Sequence, residues 1–436
     1  MRAALQDCIN LTKLSVPNLT RIPSSFANNC PIEEFVYSAD ITEIGESAFY
    51  KSFAVDSNIS LVLSKLEVLG NYAFRGSKIK GFSAEKVKTI GSYSLFGCAQ
   101  LVDVQLPQVT NLGNYAFCES GVVNVQLPAV KDISYSCFTD CKSLVSVHLP
   151  NVETIQGSAF RRCSELKNAE LPNLETIGEF AFEDCVNFEL EEPLENLQTI
   201  PIAAFRNCNK IKKLIAPKLT SIGNHGLLIQ NGLSASLSEV YCPNLTEIGS
   251  ACFMNQTELT TVNAKLQKIG LQGFYRCLNL SSIDLSNAVE IGGFAFENTA
   301  LSGELILNQL TTLGDEAFAS TNITRIVAPK VSAVGNWVFV SCPFLEEVDL
   351  GGYVDDSGIS YPQSLGGTGN TFSGNTNLKR IIVRSLVPPE TTSNFFGSVA
   401  STVELYVPDA SIDLYKRASN WSNKASMIYP ISELNT

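Results

Sequence analysis

Histidine is nearly missing from this chain of 436 residues: His148 and His225 are the two present, beside two Trp and three Met. Neither His adjoins a Ser or Cys nucleophile pattern, so general-base and imidazole–metal chemistry has few candidates. There is no C-x-x-C pair, and His is too scarce to complete a zinc site with the cysteines. No G-x-x-x-x-G-K-[ST] phosphate loop and no G-x-G-x-x-G occurs, which leaves nucleotide binding without support. Runs of Lys or Arg are also lacking, and 31 basic against 43 acidic residues give a net charge of −12, opposed to a nucleic-acid phosphate backbone. Nor does any stretch approach the roughly 20 apolar residues needed to cross a bilayer.

What is present is a repeat. Phe26, Phe49, Phe74, Leu95, Phe117, Phe138, Phe160, Phe182, Phe205, Leu227, Phe253, Phe274, Phe296, Phe318 and Phe339 recur about 22 residues apart, a period that marks stacked units. Each unit reads approximately L-x-x-V-x-L-P-x-V-x-x-I-G-x-x-A-F-x-x-C, as in Leu144, Val147, Leu149, Pro150, Val152, Ile155, Gly157, Ala159, Phe160 and Cys163. The alternating part, VHLP or VQLP, has the period of a strand with one apolar face. The bend that follows carries Gly in most units, for example Gly91, Gly178 and Gly314, which implies either positive φ or a close backbone approach. The spacing of G-x-x-A-F-x-x-C predicts one or two helical turns with Ala, Phe and Cys on the inner side. One such unit leaves its apolar side chains half wet; stacking removes them from water at about 1.5 to 3 kcal/mol per large side chain.

The expected fold is therefore an α/β repeat solenoid of about 18 rungs, with a parallel β-ladder on one face and short helical turns on the other, on the order of 85 Å long. It replaces the three ordinary domains that the length alone suggests. The solenoid is assigned to residues 1–408, with an irregular Gly- and Ser-rich insertion at 351–377 expected to leave the stack, and 409–436 to a C-terminal capping segment. Asp409 and Ser411 are expected to cap a short helix there, and Trp421 to lie across the last rung. Met1 to Gln6 is thin as a lid, and MRAALQDCINL lacks the long apolar core of a secretory signal. The expectation is a chain that extends upstream, or an end that pairs with something.

The L-x-x-V-x-L-P, I-G-x-x-A-F and trailing Cys elements resemble the leucine-rich repeats of the bacterial surface-antigen, BspA-like (treponemal) type over nearly the whole chain. The ending, with Val407, Pro408, Tyr415 and Trp421, is similar to that family's closing segment. The resemblance implies a leucine-rich-repeat protein, extracellular or on a cell surface, associated with adhesion. Leu95 and Leu227 in place of Phe, Pro23 in place of Gly, and the insertion depart from the pattern.

Thirteen Cys is an odd number, so a complete set of internal disulfides is excluded. Cys8, Cys98, Cys141, Cys163, Cys185, Cys208, Cys277 and Cys342 share one slot and are expected to form a buried column, their parallel Cβ vectors disfavouring the bridge torsion. His148 is expected on an exposed strand face. Eight sequons occur, several with an inward-facing apolar middle residue.

No catalytic, cofactor-binding or metal-binding residues are assigned. The candidate binding residues are Lys213, Glu239, Tyr241, Asn263, Asp284, Arg325, Glu347 and Asp349 on the exposed strand face, with Asp355 and Asp356 in the insertion. A regular ladder presents a broad rigid surface suited to a protein or a glycan. The expected function is a non-enzymatic binding or adhesion module with such a ligand and no cofactor. The alternatives are a structural spacer of a surface protein or particle and a carbohydrate-active solenoid enzyme, whose carboxylate cluster would have to come from pairs such as Asp355 with Asp356 or Glu347 with Asp349.

Overall fold

The computed structural model describes residues 5–352, 362, 364–366 and 369–434. The chain falls into two compact units, Met1–Pro217 and Lys218–Thr436. Each is a repeat solenoid of parallel strands, and about 18 turns are present in all.

In the first unit the long strands are three or four residues, as in Asn124–Gln126, Ser146–His148 and Asn168–Glu170. They pair parallel and in register, Val125 with Val147 and Val147 with Ala169. Alternation puts Val125 and Val147 in the core and their flanking polar residues outside. The second unit repeats this from Glu239–Tyr241 through Glu347–Leu350 and Arg380–Val383 to Ile428–Pro430.

The bend expected after Pro is itself a two-residue strand of a second parallel ladder. Arg21–Ile22, Glu43–Ile44, Val68–Leu69, Thr89–Ile90 and Asn111–Leu112 pair in succession in the first unit. Each sends an Ile or Leu inward, and the other residue, polar in all but Val68, points outward. Gly178 sits at the end of such a strand, where a Cβ would stand 2.3 Å from the backbone nitrogen of Gly157 in the preceding rung. Of the two readings of the repeated Gly, close approach is the one that applies here.

The G-x-x-A-F-x-x-C segment is not helical. In most turns two residues, two before and two after the Phe slot, are left-handed: Ser158 and Arg162 around Phe160, Phe180 and Asp184 around Phe182. A left-handed residue breaks an α-helix at once. The amides instead bond to the next rung, Phe160 N–H to the Ala181 carbonyl at 2.8 Å, or close short turns, Cys163 N–H to the Phe160 carbonyl at 3.1 Å. Among the described residues the single α-helix is Ile412–Arg417.

The core is a column of rings. Phe117, Phe138, Phe160, Phe182 and Phe205 stack at 5.1–5.5 Å in the first unit. Phe253, Phe274, Phe296, Phe318, Phe339 and Phe372 do so at 5.2–6.5 Å in the second. Phe372 lies inside the expected insertion, so the later part of 351–377 rejoins the stack: Ser364–Leu365 pairs with both Ala333–Val334 and Glu390–Thr391. The Gly and Ser content suggested a loop, but an apolar Leu and Phe at the right spacing suffice for a rung.

At the C-terminus Trp421 is buried against Phe396 and Tyr415 and donates its indole N–H to the Pro389 carbonyl at 3.0 Å. Neither Asp409 nor Ser411 caps a helix by its side chain. Asp409 accepts the Ser432 N–H at 3.1 Å, and Ser411 donates to the Leu386 carbonyl at 2.8 Å. Both hydrogen bonds tie the segment to other stretches rather than to its own first turn.

Candidate functional site

The Cys slot is a donor column. Cys98, Cys141, Cys163, Cys185 and Cys208 each place Sγ 3.0–3.1 Å from the carbonyl of the residue in the Phe slot one rung back. Cys98 follows the same rule although its own rung carries Leu95 in the Phe slot, because the acceptor is Phe74 of the rung before. Ser77 fills the slot in another rung and donates to the Phe49 carbonyl, as does Gln256 to Leu227. Burial pushes these thiols up, to about 12 for Cys98. They are structural donors. Cys8 is a correction: it is exposed, because among the described residues no earlier turn offers it a carbonyl, while the neighbouring Cys30 is buried and donates to the Leu5 carbonyl at 2.9 Å.

The sequence-predicted residues do not form one site. Lys213 is exposed on Lys213–Ile215 of the first unit, beside a cleft of about 380 Å³ lined by Glu189, Glu191, Glu192, Lys210 and Lys212. In the second unit Glu239 and Tyr241 lie beside Thr261 and Asn263 across paired strands, with Tyr241 and Asn263 outward. Asp284 accepts the Ser286 N–H at 2.9 Å, and hydrogen bonding to Ser286 holds its carboxyl below the usual range; it shapes a local turn.

Glu347 and Asp349 are not on an exposed face; both are buried. Arg325 covers Glu347 at 2.6 Å and also pairs with Glu304, Arg380 reaches Glu347 at 2.8 Å, and Arg384 grips Asp349 through two bonds of 2.7 and 2.8 Å. The arginine stems lie over the strands and exclude water from the carboxylates, so alternation alone misjudged these positions. Arg325 is thereby a structural partner. Asp355 and Asp356 lie outside the described residues. His148 projects from its strand with Nδ1 2.7 Å from Glu170.

A different cluster comes together on the turn side of the first unit. Tyr72, Tyr93 and Tyr115 occupy the left-handed position two before the Phe slot in three successive rungs. Their rings stack at 5.0 and 4.7 Å with interplanar angles of 6° and 10°. Tyr135 closes the row edge-on at 5.6 Å. The Arg75 guanidinium is 4.8 Å from the ring centre of Phe96 and 5.6–5.8 Å from those of Tyr50, Tyr72 and Tyr93, and the Lys51 ammonium is 5.4 Å from Tyr50. The rings of Tyr50, Tyr72, Tyr93, Phe96 and Tyr115 are half-buried. Desolvation, then the neighbouring Tyr115 and Tyr72, hold the Tyr93 phenol above its ordinary value, so it is a donor at neutral pH. The signal is legible as N-Y-A-F, S-Y-S-L and N-Y-A-F at the same offset, on the turn side rather than on the strand face.

Among the described residues no group of three His, Cys, Asp or Glu is placed to hold a metal, and no helix is long and apolar enough to cross a membrane.

The repeat with its two ladders and its Phe column meets a family model described as the BspA type leucine rich repeat region, which matches residues 2–56, 67–189, 131–234 and 230–346. The chain belongs to the BspA-type leucine-rich-repeat family. Among solved structures this BspA-type chain is similar to a leucine rich cell surface protein from Faecalibacterium prausnitzii, at 21% identity over 72% of this chain and 89% of that one, TM-score 0.38. It is similar also to a leucine-rich repeat protein from Bacteroides ovatus, at 17% over 84% of each chain, TM-score 0.35. A third is the pneumococcal vaccine antigen PcpA, at 16% over 84% of this chain and 83% of that one, TM-score 0.36. No curated protein sequence matches it.

Proposed function

We propose that this BspA-type protein is a non-enzymatic binding module, displayed outside the cell or on its surface, that captures a protein or a glycan and so serves adhesion. The observation that carries the reading is the tyrosine row with Arg75 on the turn side of the first unit. Tyr and Arg are the residues that dominate recognition surfaces, and here they stand half-buried on a backbone held by rung-to-rung hydrogen bonds. Rigid presentation keeps the ordering cost of binding low. The display outside the cell rests on family membership.

The strand face around Glu239, Tyr241 and Asn263 is the second candidate surface, favoured by the exposed Tyr241 ring. A glycan and host-matrix array probed with the whole chain separates the two. The variant carrying Tyr72→Ser, Tyr93→Ser and Tyr115→Ser places at each position a residue that Ser47 and Ser158 show is accepted at the same left-handed φ. Loss of capture in that triple variant, with Tyr241→Ala unchanged, is the expected result. The reverse pattern moves the site to the strand face, and an array on which the unaltered chain captures nothing overturns the binding reading.

A further inference from the structure

Resting on that reading, we propose that the tyrosine row and its cations bind a carboxylate-bearing polysaccharide, a polyuronate, laid along the rungs with about one sugar per turn.

The charge points to an anion. Among the described residues Arg21, Arg161, Arg162, Arg206, Arg325, Arg380 and Arg384 are ion-paired, whereas Arg75, Arg276 and Arg417 are not, and of these three only Arg75 lies among stacked rings. Arg75 and Lys51, in a chain of net charge −12, have no carboxylate within ion-pair distance among the described residues. Aromatic rings hold these cations in place of an acid. A guanidinium so held keeps its fork of N–H donors for an incoming carboxylate, which it binds bidentately.

The ring geometry closes the central ring, Tyr93, to the usual way in which aromatic side chains hold a neutral sugar, face against face. Both faces of Tyr93 are covered, by Tyr72 on one side and Tyr115 on the other, at interplanar angles of 6° and 10°. What the row offers is ring edges and phenol hydroxyls. None of the hydroxyls of Tyr72, Tyr93 and Tyr115 has a hydrogen-bond partner among the described residues. Recognition therefore runs through hydrogen bonds and charge.

The spacing separates a glycan from a peptide. Ring centres recur at 5.0 and 4.7 Å, about the length of one pyranose unit. An extended peptide repeats its same-side residues only every ~6.7 Å and falls out of phase within two rungs. A polymer with a hydroxyl on every unit and regular carboxylates matches both the phenol row and the cationic end.

The test titrates the whole chain with polygalacturonate oligomers long enough to cross the row, with their methyl esters, and with poly-glutamate of similar length. Arg75→Gln is expected to weaken polygalacturonate binding about ten- to hundredfold, the range that a hydrogen bond to a charged group supplies. The triple variant Tyr72→Phe, Tyr93→Phe and Tyr115→Phe, which keeps the stacked rings, is expected to weaken it about tenfold. Methyl esters and poly-glutamate are expected to bind at least about tenfold more weakly. Absence of polygalacturonate binding at low salt, binding indifferent to Arg75→Gln in a variant with unchanged thermal unfolding, or poly-glutamate bound as tightly each overturns the proposal. If polygalacturonate fails while the array still separates the unaltered chain from the Tyr→Ser triple, the ligand class falls and the binding module stands.

Discussion

A buried carbonyl decides what the Cys slot accepts. The Phe138 carbonyl takes the Cys141 N–H at 3.1 Å and the Cys163 thiol at 3.0 Å, both away from water. Cys163→Ser, which keeps a donor as Ser77 does, is expected to cost less than about 1 kcal/mol, and Cys163→Val, which removes one of the two donors and leaves that carbonyl the Cys141 N–H alone, about 1 kcal/mol, by urea denaturation. The thiols also set a pH dependence. Burial raises Cys98 and Cys118 to about 12 from an ordinary value of 9.0, so between these limits the unfolded chain has released protons that the folded chain retains. Stability is full below about pH 9 and falls as pH rises toward 12, each such thiol taking up to ~1.4 kcal/mol per unit. Denaturation at neutral pH and again near pH 10 checks the sign. Gly178 answers to a different constraint: a Cβ there meets the Gly157 nitrogen at 2.3 Å and the Gln156 carbonyl carbon at 2.6 Å. Those are backbone atoms that cannot rotate aside, and Gly178→Ala is expected to cost about 2–3 kcal/mol in the same assay.

Between elements, a strip of paired charges in the second unit crosses Asn322–Ala328, Glu347–Leu350 and Arg380–Val383. Glu347 is held between Arg325 and Arg380, and Asp349 by Arg384, which Asp349 in turn holds above its usual range. Removing one member of such a set leaves buried charge behind. Because the arginines are partly exposed, hydration offsets some of that loss, and Glu347→Ala is expected to destabilise by about 2 kcal/mol. Arg325→Ala is expected to lower stability as well, about 1 kcal/mol. An effect of Arg325 on ligand capture must therefore be read beside a melting curve. In the first unit the same kind of contact is made by Glu183, buried between Arg161 and Arg206.

At the scale of the molecule, rungs are stabilised by their neighbours, so damage at an end stays near that end. Trp421 covers Phe396 and ties to Pro389, while Tyr415 donates to the Ser385 carbonyl at 2.8 Å. Trp421→Ala is expected to remove about 3 kcal/mol of local stability. Hydrogen exchange should show it first in the amides of Arg380–Val383 and Glu404–Val407, while Ser146–His148 and Asn168–Glu170 in the first unit keep their protection.

The repeat period, the inward Phe and Ile, the buried Cys slot and the repeat-solenoid class were written in the residues themselves. Those features depend on burial, and burial repeats wherever the apolar spacing repeats. Tertiary structure decided the rest. The left-handed residues of the turns were hidden because Ser, Arg, Tyr and Asp carry no signature of positive φ comparable to Gly. The burial of Glu347 and Asp349 was hidden because it comes from arginines on adjacent rungs, not from their own strand. Phe372 returned to the column although its flanks read as a loop, since packing needs the ring and not the period. The stacked tyrosines with Arg75 became a surface only once the rungs set residues about 22 apart side by side: a chain records its own spacing, whereas a neighbour's side chain arrives through space.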